Sequence, residues 1–284
     1  LPGAYPVMAL LFVNLVVAGF VRLKWRWRNA GVLITHCGIA LLLVAGFVKL
    51  EFSYSGHLAL YEAPSGGSDS SDRLFSSSTF VSFHDYELAL LRDLGSTVEE
   101  RVVPEAALAG ARDGAVTLTA EGLPFTVTVH HWLDNCRPSG KGPMVQALTP
   151  VIDGVFLREQ AVAKEREANI AGCYVTVSTR TGDRFESPLL GADMRPFSKQ
   201  RQPFTFEVEG QRYGLDLRRV VFDLPFDVRL DKFQKLDHPG TMTPRDFRSF
   251  VTVREARGER QQQIYMNNPL RKDGFVLYQT NWGP

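Results

Sequence analysis

Two stretches of the chain carry no charged residue and are long enough to cross a membrane. They cover residues 4–21 and 29–48. At the rise of an α-helix each reaches roughly 27–30 Å, the thickness of a bilayer's hydrocarbon core. A cleaved signal peptide is the alternative for the first run, but no small-residue cleavage site separates it from the second. Residues 1–50 are therefore predicted to form a transmembrane helical hairpin.

The segment between the two runs, RLKWRWRN, is short, basic and aromatic. Lys and Arg resist translocation and Trp settles at the headgroup level, so this loop, about residues 22–28, is expected on the cytoplasmic side. Both hairpin ends then face outward, and the chain after about residue 51 is extracytoplasmic. The net charge is only +1, from 32 Lys plus Arg and 31 Asp plus Glu. This balance gives no electrostatic reason to expect nucleic acid as a partner, and the apolar runs make the membrane the expected partner.

The remainder of the sequence predicts a mostly β domain outside the membrane. Residues 51–62 form an extended exit segment, and 64–79 are a Ser/Gly-rich loop. From residue 80 to 284, short alternating runs such as FTVTVHHW and FRSFVTVRE indicate roughly eight to twelve strands in a sandwich or open barrel. One helix is predicted at 155–170. Because the sequence opens on Leu1 instead of Met, further sequence is expected beyond both ends.

The three cysteines exclude some classes of protein. Cys37 lies in the second apolar run, whereas Cys136 and Cys173 lie in the outer domain and could pair in an oxidising compartment. The sequence leaves that disulfide open. Neither CxxC nor CxxCH occurs, so the chain is not a thioredoxin-like reductant or a c-type cytochrome.

His36 is the residue that most strongly suggests chemistry. It lies roughly 12 Å beyond Arg28 along an apolar helix, where an ionisable group is costly and usually functional. A neutral imidazole hydrogen-bonded to a neighbouring helix is the alternative. A neutral imidazole is also a good axial ligand for haem iron. Since the apolar runs hold one histidine, a second ligand would come from elsewhere.

The other histidines give weaker signals. His57, His84 and His238 are isolated in the sequence. His130 and His131 are adjacent on a predicted strand, so their side chains are expected on opposite faces and unable to share a metal. No acid–base pair of carboxylates and no nucleophile stands out, so no catalytic residue is predicted.

Two further segments carry a family resemblance. They are LPFDVRLDKFQKLDHPGTMTPRDFRSFVTV (224–253), with turns predicted at Pro239–Gly240 and at Pro244, and MNNPLRKDGFVLYQTNWGP (266–284). Together with THCGIALLLVAGF and SGHLALYE, they resemble the ResB family, also called CcsB, of system II cytochrome c biogenesis. The residues that carry the motif, without a known role, are Pro239, Gly240, Asn268, Pro269, Leu270, Arg271, Gly274, Tyr278 and Gln279. Lys272 departs from the family, which tends to have an aromatic residue there, and two spans are counted where the family has about four.

The resemblance implies a function. Family members form a complex with a CcsA-type haem-handling membrane protein, carry haem b across the plasma (inner) membrane and support its attachment to apocytochrome c. It also implies that His36 is an axial ligand of the haem iron. The complex would be a lyase-type enzyme, and this chain alone is expected to have no activity. Two alternatives stay open: an extracytoplasmic scaffold without haem ligation, and a b-type electron carrier, which needs two ligands.

Overall fold

The chain folds into a helical unit and a β unit. The computed structural model describes residues 4–22, 26–62, 74–119, 122–192, 203–255 and 258–280. The helical unit covers Leu1–Ser55, and the β unit covers Gly56–Pro284. The two units correspond to the apolar and the alternating parts of the sequence.

Two helices pack against each other in the helical unit. Helix α1 (Ala4–Val16) continues as a π-helical segment, Val17–Arg22, and a 3₁₀ turn leads into α2 (Ala30–Phe52). Within the described residues one helix, at Trp27–Lys49, is long and apolar enough to cross a membrane; Pro6–Gly19 is a shorter apolar helix. The long apolar helix is thus confirmed, whereas a pair of spanning helices stays a prediction.

The β unit contains fifteen strands among its described residues, more than the sequence predicts. The additional strands are short ones whose sequences do not alternate clearly. The strands are β1 (Gly56–His57), β2 (Ser76–Asp93), β3 (Val98–Pro104), β4 (Ala115–Leu118), β5 (Phe125–Leu133), β6 (Cys136–Gly140), β7 (Val155–Glu159), β8 (Gly172–Thr179), β9 (Arg184–Leu190), β10 (Phe204–Val208), β11 (Gln211–Asp237), β12 (Pro244–Glu255), β13 (Gly258–Tyr265), β14 (Leu270–Lys272) and β15 (Phe275–Leu277). The mostly β character of this part of the chain is confirmed.

All strand pairs among these are antiparallel. The largest sheet has the order β1-β2-β11-β12-β13, with β3 added to β2 and β10 added to β11. A four-stranded sheet has the order β4-β5-β8-β9, and β6-β7 and β14-β15 form two-stranded sheets. Sequential hairpins therefore account for most of the topology.

A first hydrophobic cluster joins the two large sheets face to face. Alternate residues of β5 and β8, such as Val127, Val129, Val175 and Val177, point into it, because side chains alternate between the faces of a strand. The large sheet contributes Tyr86, Leu88, Phe206, Val208, Tyr213, Leu215 and Leu217. This arrangement is a β-sandwich, one of the two architectures that the alternation predicted.

A second cluster lies at the other end of β11. It contains Leu224, Phe226, Val228, Val251, Val253, Ile264 and Leu270. Phe275 and Leu277 of the β14–β15 hairpin pack against it. Where β11 enters this cluster, its pairing with β2 shifts register from Asp223 to Val228, a stretch that includes Pro225. Proline lacks the backbone N–H that a regular ladder needs, which explains the irregularity.

The helix predicted at 155–170 is wrong. Val155–Glu159 is strand β7, which pairs with Cys136–Gly140, and the later part holds only a 3₁₀ turn at Arg166–Ala168. Phe156 and Leu157 are buried in successive positions of β7. Burial through strand pairing therefore outweighs the helix propensity of a segment rich in Ala, Glu and Lys.

The predicted loop boundaries also shift. Strand β2 begins at Ser76, so the last residues of the segment 64–79 are strand and not loop; residues 63–73 lie outside the described residues. Strand β12 begins at Pro244, so no second turn interrupts the chain there. Tertiary pairing extends both strands into polar sequence that has no alternating pattern.

The first hydrophobic cluster predicts a large effect of truncation at Leu215, which is 1% exposed. Leu215→Ala should lower the free energy of unfolding by about 2–5 kcal/mol, because it removes buried methyl groups and leaves a cavity. Chemical denaturation followed by tryptophan fluorescence measures the change. Leu148→Ala, at a side chain that is 86% exposed, is the matched control and should change the stability little. Equal effects would contradict the assignment of this core.

Candidate functional site

His36 lies half-buried on α2, and one of its ring nitrogens is hydrogen-bonded to the helix backbone. Its Nδ1 lies 2.8 Å from the carbonyl oxygen of Val32, one turn earlier on the same helix. Since a carbonyl only accepts, Nδ1 carries the proton and donates. In the neutral ring Nε2 then keeps its lone pair, the form in which an imidazole binds a metal.

Gly19 packs directly on the His36 ring. It lies in the π-helical segment Val17–Arg22, and a β-carbon placed there would come within 2.9 Å of His36 Cβ and 3.0 Å of Cδ2. Only glycine fits this approach, and π-helical turns often occur at functional positions. Gly19 is not predicted from the sequence, where its one signal is a small residue in the run VVAGF at the end of α1.

The surroundings of His36 suit a flat, apolar ligand. Val32 and Ile39, one turn before and one turn after His36 on α2, are exposed large apolar side chains. Nε2 makes no hydrogen bond to another described residue. His36 is the one histidine in residues 1–55, so the helical unit offers a single imidazole. The arrangement fits one axial ligation of haem iron and leaves the second ligand to another source.

Pro239 and Gly240 form the turn between β11 and β12. His238 N donates to the Thr243 carbonyl at 3.0 Å, and Gly240 has a φ of +73°, which glycine adopts without strain. The tail motif contacts β12 through Gln279 and Ser249, and Ser249 is paired with Phe233, roughly 13 Å before the end of β11 at the rise of a strand.

The tail motif shapes a small hairpin that covers the second cluster. The side-chain amide of Asn268 donates to the Gln263 carbonyl at 3.3 Å, and Leu270 is buried in the cluster. Asp273 and Gly274 have φ values of +47° and +83°, as a tight two-residue hairpin turn requires. The motif residues therefore support the structure of the domain.

Lys272 makes an ion pair that an aromatic side chain could not make. Its Nζ lies 2.7 Å from Glu255 Oε1 and 5.7 Å from the centre of the Phe226 ring. The hydrogen bond with Glu255 raises the pKa of Lys272. The lysine thus links the β14–β15 hairpin to β12.

The remaining motif residues are at or near the surface. Arg271 and Tyr278 are exposed, and Pro269 is half-buried. The side-chain oxygen of Gln279 accepts a hydrogen bond from the Ser249 hydroxyl of β12. The exposed pair is available to a partner, but no catalytic arrangement surrounds it among the described residues.

The prediction that the side chains of His130 and His131 lie on opposite faces is wrong. The ladder between β5 and β8 shifts register from His130 to Leu133, and His131 has a φ of +50°. This bulge turns both rings to the same side, with their Nδ1 atoms 2.8 Å apart. Burial and the neighbouring His131 lower the pKa of His130. Strict alternation therefore fails at this position, for a reason that the sequence does not show.

The isolated histidines do not join a metal-binding cluster in the part of the chain that the structure describes. His57 stacks on Phe83 with the ring centres 5.6 Å apart, and His238 is in the β11–β12 turn. Among the described residues, no group of three His, Cys, Asp or Glu side chains could hold a metal.

Cys136 and Cys173 are free thiols and not a disulfide. Cys173 belongs to the first cluster, whereas Cys136 packs with Leu157, Tyr174 and Leu190 in a third cluster. Burial raises the pKa of the Cys136 thiol to about 12 and raises that of Cys173 as well. The two side chains occupy different packing layers, which explains why they do not pair.

These features define a class of protein: a mostly β protein with an N-terminal apolar helix that fits a membrane anchor. The C-terminal segment, residues 203–284, matches the ResB-like family. This segment forms strands β10–β15, and the match confirms the resemblance found from the sequence. A search of curated proteins gave no match.

The buried thiols predict very slow alkylation. At pH 8 a thiol with a pKa of about 12 is roughly one part in ten thousand thiolate, and the thiolate is the reactive form. Folded protein treated with a maleimide should therefore keep Cys136 and Cys173 unmodified, as mass spectrometry can show. The same treatment in denaturant, the control, should modify all three cysteines. A 136–173 disulfide in non-reduced protein would contradict the structure.

Proposed function

We propose that the chain is a subunit of a system II cytochrome c maturation complex, which carries haem across the membrane and supports its covalent attachment to apocytochrome c. The match of residues 203–284 to the ResB-like family supports involvement in cytochrome c biogenesis. The observation that carries the haem part is the imidazole of His36. Its Nδ1–H is bonded to a backbone carbonyl and its Nε2 lone pair is left for iron.

In this proposal His36 holds and orients haem b, which is cargo and not a resident cofactor. The α2 backbone fixes the ring through Val32, and Gly19 allows α1 to approach it closely. A CcsA-type partner supplies the second axial ligand, since the helical unit has one histidine. The attachment chemistry belongs to the porphyrin vinyl groups and the thiols of the apocytochrome. The complex then acts as a lyase-type enzyme, and this chain alone has no activity.

The proposed location is the plasma (inner) membrane, with two spanning helices and the β unit on the extracytoplasmic side. The apolar helix at Trp27–Lys49 and the basic residues Arg22, Arg26 and Arg28 support this orientation.

A scaffold without haem ligation is the second candidate. The hydrogen bond from His36 to the Val32 carbonyl favours this candidate. It gives an imidazole among apolar residues a hydrogen-bond partner without any bound haem. The motif residues also support the hairpin that covers the second cluster. On this alternative the β unit would position the partner and the apocytochrome.

The orientation predicts where a protease can cut. In right-side-out membrane vesicles, an added protease should degrade the β unit, while in inverted vesicles it should leave that unit intact. An extracytoplasmic reporter fused after Pro284 should likewise be active. Protection of the β unit in right-side-out vesicles would contradict the proposed topology.

His36→Gly tests the haem proposal. Loss of an iron–nitrogen bond worth more than about 1.4 kcal/mol should lower the haem content of the purified complex by about tenfold or more. Added imidazole should restore the Soret band, since it can occupy the space left by the ring. The matched control is Thr35→Gly, which puts the same helix-weakening residue next to His36 on α2.

The scaffold candidate predicts the opposite result. An unchanged Soret spectrum and haem content in His36→Gly, with Thr35→Gly also unchanged, would reject the ligand role of His36.

Gly19→Ala tests the close approach of α1 to the ring. The new methyl group would lie within 2.9 Å of His36 Cβ, so the helices must separate, at a cost of about 1–3 kcal/mol. We expect lower thermal stability and a lower haem content. Gly38→Ala is the control: a β-carbon there meets no atom within 4 Å, and alanine should stabilise α2 by about 0.5–1 kcal/mol. A Gly19→Ala chain that behaves like the control would contradict the packing.

A further inference from the structure

Two histidine rings of the β unit lie unusually close together. The β5 bulge brings His130 Nδ1 and His131 Nδ1 to 2.8 Å, with the ring centres 5.1 Å apart. His131 holds a φ of +50°, a conformation that non-glycine residues rarely adopt and that often accompanies function. The bulge therefore places two imidazoles together at a local cost in backbone energy.

The hydrogen bonds around His130 fix its tautomer. His130 Nε2 lies 3.3 Å from the Thr176 hydroxyl oxygen, and that hydroxyl donates to Glu186 Oε1 at 3.4 Å. Because the Thr176 proton is committed to the carboxylate, Nε2 of His130 donates and its Nδ1 keeps the lone pair. A histidine whose second nitrogen is tied through hydrogen bonds to a carboxylate is the usual arrangement around a metal ligand.

We propose that His130 and His131 chelate one divalent transition-metal ion through their two Nδ1 atoms. With metal–nitrogen bonds of about 2.0–2.1 Å, a separation of 2.8 Å gives a bite angle of about 90°. That angle belongs to square-planar or tetragonal ions and not to tetrahedral zinc. The proton that His131 Nδ1 shares with His130 moves to His131 Nε2 when the ion binds, so the ring stays neutral.

The site is rigid on one side and open on the other. His130 stacks on the ring of Tyr174, with centres 5.9 Å apart, and His131 meets the same ring edge-on. Tyr174 is fully buried and its hydroxyl is hydrogen-bonded to Thr149 and Leu157. His131 is exposed. With no third side chain of metal-binding type in a described cluster, the other coordination positions go to solvent.

Cu²⁺ is the probe of choice, because it binds nitrogen ligands more tightly than the other divalent first-row ions and takes a tetragonal geometry. The full-length, tag-free chain in detergent is titrated with Cu²⁺ and followed by calorimetry and electron paramagnetic resonance. We expect one equivalent bound, with hyperfine splitting from two nitrogens. The His36→Gly chain should give the same stoichiometry, which separates this site from the proposed haem ligand.

His131→Asn is the main test, since asparagine tolerates the left-handed backbone but provides no imidazole. The affinity for Cu²⁺ should fall at least tenfold and the two-nitrogen splitting should disappear. His238→Asn, at an isolated histidine in a turn, is the matched control and should leave both unchanged. Circular dichroism of each variant verifies the fold.

Thr176→Val tests the hydrogen-bond chain to Glu186. This near-isosteric change should weaken Cu²⁺ binding by about 10–100-fold while one equivalent still binds. The proposal is overturned if the unaltered chain binds no stoichiometric Cu²⁺ or if His131→Asn binds as tightly. An unchanged affinity in Thr176→Val would also overturn it, because the tautomer assigned to His130 depends on those hydrogen bonds. The histidine pair would then be only a hydrogen bond within the bulge.

Discussion

Strand β11 is the element on which the rest of the β unit depends. It runs from Gln211 to Asp237 and pairs with β2, β10 and β12. Its first part carries side chains into the sandwich core, and its second part carries Phe226 and Val228 into the second cluster. The pairing of β11 with β2 shifts register at Arg219–Val221, between the two clusters, and again from Asp223 to Val228, where Pro225 lies beside Leu224 and Phe226 of the second cluster. These irregularities allow one continuous strand to serve both clusters.

Much of this architecture can be predicted from local pattern. The apolar run that includes His36 fixes α2, and the alternation in FTVTVHHW and CYVTVST fixes β5 and β8 as two-faced strands. What pattern cannot supply is pairing over long distances. Strand β7 lies in sequence of helical composition, and the Ser76 start of β2 lies in polar sequence; partner strands stabilise both. His131 is similar, because one residue in a left-handed conformation reverses the direction that alternation predicts for its ring.

The same division holds for the candidate site: local pattern identifies some of its residues, and long-range packing determines the others. His36 is found from the sequence because an imidazole among apolar residues is costly. Gly19 is not found from the sequence, because its role depends on which faces of the two helices pack together. Glycine is also frequent in membrane-spanning sequences in general. The motif residues of the tail are found by resemblance alone. Among their contacts, Leu270 is buried in the second cluster and Gly274 forms a tight turn, so these residues shape a hairpin.

The placement of Cys136 and Cys173 in separate packing layers has a consequence for the proposed setting. In that proposed setting the chain would work beside oxidising catalysts and beside an apocytochrome whose thiols have to stay reduced until haem arrives. Buried thiols that are neither ionised nor accessible exchange neither with the catalysts nor with the apocytochrome thiols. Cysteine buried in this way gives the fold its packing without making the protein a competitor for the apocytochrome's sulfhydryl groups.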